Sequence, residues 1–131
     1  MLTFKALVSL ALTATTFAAS AVRRQEVERA VCDFVFTPTT APPENFDFVQ
    51  ELNFVVDREI TVETDSGVFN PGELTAVAND DGSYTASGPI ASNPLTADQL
   101  KDMVEAWPGK ELQGLSDNGP LTWTVDSVEC E

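Results

Sequence analysis

Phe46-Asp47-Phe48-Val49-Gln50-Glu51-Leu52-Asn53-Phe54-Val55-Val56-Asp57-Arg58-Glu59-Ile60-Thr61-Val62-Glu63 is the stretch on which the fold turns. Phe46, Phe48, Leu52, Phe54, Val56, Ile60 and Val62 fall on even positions, with Asp47, Glu51, Asn53, Asp57, Glu59 and Glu63 between them. Alternation with a period of two predicts strand, one face buried and the other wet. The run exceeds the usual strand of about 5–6 residues. It therefore reads as a hairpin turning at Asp57-Arg58-Glu59. A three-residue loop keeps parity, setting Val56 opposite Ile60 and Phe54 opposite Val62. A single bent strand is the alternative.

Upstream, Val31-Cys32-Asp33-Phe34-Val35-Phe36 has the β-branched and aromatic composition of a strand. Thr37-Pro38-Thr39-Thr40-Ala41-Pro42-Pro43 follows as an extended loop, because its prolines supply no ladder donors. Downstream, Asp65-Ser66-Gly67 and Asn70-Pro71-Gly72 are turn signals. Leu74 to Ala78 and Ser83 to Ala86 then form a second hairpin around Asn79-Asp80-Asp81-Gly82. Leu95 to Gly109 carries the helix. Thr96 and Gln99 make a capping box, Leu95 and Leu100 a hydrophobic staple, and Leu100, Met103, Val104 and Trp107 one apolar face. After the turn Asn118-Gly119-Pro120, the last strand runs from Leu121 to Glu129. Leu121, Trp123 and Val125 share one parity while Val128 and Cys130 take the other, so a β-bulge near Asp126 is predicted.

Cys32 and Cys130 are the only cysteines. In an oxidising compartment two such thiols pair. The loop so closed approaches a hundred residues, for which chain entropy gives about 4–5 kcal/mol of stabilisation. The first and last strands are then neighbours. These readings predict one α+β domain: a small antiparallel β-sheet with one amphipathic helix packed on it, its terminal strands joined by the disulfide.

The chain's start points to export. Met1 to Lys5 carries one positive charge, Ala6 to Ala19 is apolar or small, and small residues follow. That run is shorter than the roughly 20 apolar residues of a membrane span and has the pattern of a secretory signal peptide. Residues 1–21 are assigned to it. Arg23-Arg24, just beyond, resembles the dibasic site of kexin-type processing proteases. Residues 22–24 then form a short propeptide, and the mature domain covers 25–131, beginning at Gln25.

Of the seven basic residues, Lys5, Arg23 and Arg24 leave with the leader, while all 21 acids stay. Four cations against 21 acids give the mature chain a net charge near −17. Phosphate backbones and anionic membrane surfaces are therefore disfavoured as partners.

The chain has no histidine. A Ser-His-Asp triad, a histidine metal site and an imidazole base are thus excluded. Carboxylate pairs remain for chemistry of the glycosidase kind, without a recognisable context. Asp80-Asp81-Gly82 fails the EF-hand pattern, since Val77 would stand at its first position. No catalytic, cofactor-binding or metal residue is assigned. Trp107 and Trp123 are expected in the core, and Tyr84 at a hairpin end is the candidate exposed aromatic.

The leader, the Arg23-Arg24 pair, the small acidic domain and the few cysteines together resemble the organisation of small secreted proteins of fungi. The resemblance implies an extracellular, non-catalytic interaction or effector-type role, with an extracellular protein or polysaccharide as partner. The alternatives are a secreted protease inhibitor, for which Thr37–Pro43 is the segment to watch, a wall-associated protein, and a small carboxylate-based hydrolase. A wide exposed apolar patch would mark the binding module, and a concave acid cluster the enzyme.

Overall fold

The computed structural model describes residues 27–65, 72–93, 95–115, 117 and 121–131. The predicted signal peptide, Arg23, Arg24, residues 66–71 between and within the two predicted turns, and the turn predicted at Asn118–Pro120 lie outside them. The elements are β1 (Ala30–Pro38), α1 (Phe48–Thr64), β2 (Thr75–Ala78), β3 (Tyr84–Ile90), α2 (Ala97–Glu105), β4 (Glu111–Gln113) and β5 (Thr122–Cys130). The α+β class and the disulfide-joined terminal strands are as expected. The hairpin and the single helix are not.

The 46–63 stretch is helix α1, with Asp57-Arg58-Glu59 in its middle rather than at a turn. Leu52, Val56 and Ile60 are spaced four apart, so they lie together on a helix face as readily as on a strand face. The buried residues Glu51, Leu52, Val55, Val56 and Ile60 follow the helical period. Phe54 is half-buried and Val62 is 63% exposed, although the hairpin placed both inside. Asp47 caps the helix by accepting from the Gln50 amide at 3.0 Å. Asp65 closes it in the left-handed region at φ 53°. Thr61 and Thr64 donate their hydroxyls to the carbonyls of Asp57 and Ile60, four residues back. Such back-bonding accommodates threonine within a helix.

The sheet order is β2-β3-β1-β5-β4, every pair antiparallel. β1 and β2 therefore run parallel with β3 between them. This β1-α1-β2-β3-α2-β5 order has the connectivity of a ferredoxin-like split β-α-β plait, with β4 added at one edge. Along β1, Ala30, Cys32, Phe34 and Phe36 are buried, whereas Val31, Asp33 and Thr37 are exposed. Both helices bury their apolar faces on that even-numbered side, Leu52, Val56 and Ile60 from α1 and Leu100 and Val104 from α2. Among the described residues, no helix packs on the odd-numbered side.

The bulge lies where the parity change places it. Val35 pairs with Ser127 and Phe36 with Val125, leaving Asp126 as the extra residue. Trp123, Val125 and Val128 are consequently all buried. Thr37 donates its hydroxyl to Asp126 at 2.5 Å, holding the extra residue outward.

The second hairpin also forms. The Asn79 amide donates to the Ser83 carbonyl at 2.8 Å, and Gly82 turns the chain at φ 92°, where a side chain would be strained. The Ser83 hydroxyl and amide both donate to Asp81 and hold its carboxyl below the ordinary value. The capping box of α2 is complete, with Leu95 packed against the core.

The rings form a chain through the interior. Trp107 meets Phe34, Phe34 meets Phe36, and Phe36 meets Trp123. Tyr84 continues it, its ring 5.3 Å from Trp123 and 5.2 Å from Phe48. Tyr84 is therefore half-buried in an aromatic cluster with Phe46, rather than the exposed contact its hairpin position suggested.

Candidate interaction surface

Cys32 and Cys130 stand directly opposite one another on β1 and β5 and form the disulfide, with Cα atoms 4.0 Å apart. The Glu131 amide donates to the Val31 carbonyl beside them, so the cysteines occupy a non-hydrogen-bonded pair, the closer of the two kinds. Of the Thr37–Pro43 segment, Thr37 and Pro38 are the last residues of β1, paired with Thr124 and Trp123, and Thr39 to Pro43 leaves from the end opposite the disulfide. It is fastened there by Thr39, whose amide and hydroxyl both donate to the Thr122 carbonyl. The disulfide does not anchor that loop.

Glu51 lies on the wet side of the hairpin reading, yet it is fully buried. Trp123 Nε1 donates to its Oε2 at 2.7 Å, and the Leu115 amide to its Oε1 at 3.0 Å. Gly114 lies so close that a Cβ there would stand 1.6 Å from Oε2. The group joins α1 to β5 and to the strand-end after β4. It has no exposure through which a ligand could reach it, so its work is architectural.

Lys110, just before β4, bridges Glu59 at 2.7 Å and Glu63 at 2.9 Å on the last turns of α1. Hydrogen bonds from Lys110 to the two carboxylates raise its own pKa above the ordinary lysine value. Burial pushes the Glu63 carboxyl up, but Lys110, Glu59 and the Trp107 indole outweigh it, so its pKa is lowered. The Trp107 indole makes no hydrogen bond of ordinary geometry and acts on Glu63 by proximity. A carboxyl with a lowered folded pKa adds stability above its unfolded value of 4.5, lost as pH falls through the folded one. Lys110 is partly exposed, so solvent screening keeps the pair small. Glu63→Gln is expected to cost about 0.5 kcal/mol at pH 7 and less at about pH 3, by urea unfolding at both pH values. An equal cost at both would refute the ion-pair role.

Two depressions flank α1. A polar cleft of about 460 Å³ is lined by Asp47, Val49, Gln50, Asn53 and Glu73. A shallower apolar groove of about 350 Å³ runs along the helix's outer side between Phe54, Asp57, Arg58, Thr61 and Val62. Burial raises the Asp57 carboxyl there.

Asn53 sits between the cleft and the sheet. Its Oδ1 accepts from the Leu74 amide at 2.8 Å, and its Nδ2 donates to the Leu74 carbonyl at 3.0 Å. A side-chain amide thus pairs with Leu74 as a neighbouring strand's backbone would. Beyond it β2 forms the end of the sheet, with Val77 55% exposed.

The structure thus brings together one of the residue sets singled out in the sequence, the cysteines. Among the described residues, no three His, Cys, Asp or Glu side chains group as metal ligands. No helix among them is long and apolar enough to cross a membrane. The cleft and the buried Glu51 depend on α1 being a helix, and the place of β2 at the end of the sheet depends on the strand order, so the strand pattern read over 46–63 reveals none of them. Compared with known proteins, the chain matches no family model, no curated protein and no solved structure.

Proposed function

We propose that this chain is a secreted, acidic, non-catalytic interaction module of effector type, acting on an extracellular protein or polysaccharide. The observation that carries the reading is the Cys32–Cys130 disulfide across the two terminal strands. Such bonds persist in oxidising surroundings and suit small secreted domains. The apolar start of the chain and Arg23-Arg24 support the same reading. Among the described residues, one side of the sheet is free of helices, which leaves surface for contact. The acid pair Glu59 and Glu63 is engaged by Lys110, and the buried Glu51 by Trp123, which disfavours the carboxylate hydrolase. A protease inhibitor is the second reading. It is weakened by Thr37 and Pro38 being paired strand residues, and by Thr39–Pro43 emerging from the end of β1 away from the disulfide.

The test is intact-mass analysis of the medium after expression of the full chain, with its own leader, in a secretory host. The expected species spans residues 25–131 and carries no free thiol. Retention of the whole chain in the cells, or two free thiols in the released form, would overturn the reading.

A further inference from the structure

The β2 edge has a hydrogen-bonding pattern that follows from its turn. Since the Asn79 amide donates to the Ser83 carbonyl, alternation makes Val77 and Thr75 the residues bonded to Thr85 and Ser87 on β3. Ala76 and Ala78 then direct their N–H and C=O groups away from the sheet. Leu74 has the same parity, and its outward groups are the ones that Asn53 takes. Among the described residues, the edge is therefore closed at Leu74 by a side chain posing as a strand, and open at Ala76 and Ala78. It carries no lysine, proline or bulge of the kind that usually blunts an edge.

Its surroundings are anionic. Asp47 and Glu73 lie in the cleft at one end of the edge, and the exposed Asp80 and Asp81 lie in the turn at the other. Among the described residues, the cleft has no cation in its lining. A second copy of this chain would set these acids against themselves, with a net charge near −17 on each mature partner.

We propose that the β2 edge binds an extended, Lys/Arg-bearing segment of a partner protein, added as a further strand at the end of the sheet. Backbone groups of Ala76 and Ala78 make the ladder bonds, and side chains alternate between the two faces. Those on the helix side enter the cleft, where a lysine or arginine meets Asp47 and Glu73. Those on the open side lie over Val77. Four edge residues supply few ladder bonds, so charge carries much of the affinity and salt weakens it. The proposal rests on the interaction reading above and names the partner's chemistry.

The test uses the processed chain, 25–131, and two synthetic ten-residue peptides, one alternating valine with lysine and one alternating valine with glutamate. Binding is followed by amide chemical shifts and hydrogen exchange. The lysine peptide is expected to shift residues 73–80 and to slow exchange at Ala76 and Ala78, with the glutamate peptide inert. Ala78→Pro removes an outward N–H without touching the β3 ladder and should weaken binding at least about tenfold. Glu73→Lys, which leaves the hairpin's bonds intact, should weaken it about fivefold and flatten its salt dependence. Shifts confined to another surface, equal binding of both peptides, or no shift at β2 with millimolar peptide would overturn the proposal. None of these results touches the secretion reading, which stands or falls on the intact mass.

Discussion

Replacing both Cys32 and Cys130 with alanine is expected to lower the unfolding free energy by about 3–5 kcal/mol while leaving the sheet intact. The two cysteines are 98 positions apart, and the entropy lost on closing a loop grows with its length. A domain of this size has a total stability of roughly 5–15 kcal/mol, so the crosslink is a sizeable share. Most of the loss arises in the unfolded chain, which gains freedom once its ends are released. In the folded state β1 and β5 still pair along most of their lengths, from Cys32–Cys130 to Pro38–Trp123. The far-ultraviolet spectrum should therefore be unchanged at 25 °C while Tm falls by roughly 15 °C or more. Scanning calorimetry of the two proteins at pH 7 decides this. A loss below about 1 kcal/mol would mean that the β1–β5 ladder already holds the ends together in the unfolded ensemble.

The disulfide was legible because two cysteines at opposite ends of a small domain leave few choices. The bulge was legible because Trp123, Val125 and Val128 break parity within one strand. The capping box of α2 is a local four-residue pattern and needs no tertiary knowledge. Helix α1 failed for a specific reason. Leu52, Val56 and Ile60 satisfy both a period of two and a spacing of four, so the residues that decide lie off the even set. Val55 is buried at an odd position, and Asp47 with Gln50 three residues later is the start signal of a helix. The many β-branched residues of the stretch favour strand intrinsically, but burial of one helical face outweighs propensities of tenths of a kcal/mol per residue. Strand β4 has three residues and exists because β5 offers it an edge. The β2 edge was placed correctly as half of a hairpin. Its position at the end of the sheet depends on β1 passing on the other side of β3, which local patterns do not encode.

Glu51→Ala is expected to cost about 3–5 kcal/mol, a loss usually associated with large apolar core residues. The hairpin reading, with Glu51 exposed, would predict a change within about 0.5 kcal/mol. The difference follows from what the substitution strands. Trp123 Nε1 is 72 positions away in sequence and fully buried, and the Leu115 amide is 64 positions away. Each donor left without a partner in the interior costs about 1–3 kcal/mol, and the emptied volume adds to it. Glu51→Gln keeps one acceptor oxygen and turns an NH2 towards the other donor, so it should fall between, near 2 kcal/mol. Gly114 supplies an independent check. Gly114→Ala drives a Cβ into the space of Oε2, and the carboxyl is tied on both oxygens and has nowhere to retreat. In the wild-type background that substitution should be nearly as damaging as Glu51→Ala. In the Glu51→Ala background the methyl enters the vacated space, and its further cost should be small. The coupling between the two sites is thus expected to be about 3 kcal/mol or more, well above the additivity error for independent positions. Urea unfolding of the four proteins of the cycle, followed by tryptophan fluorescence, measures it. Strictly additive losses would mean that Gly114 is constrained by its backbone and not by the carboxyl of Glu51.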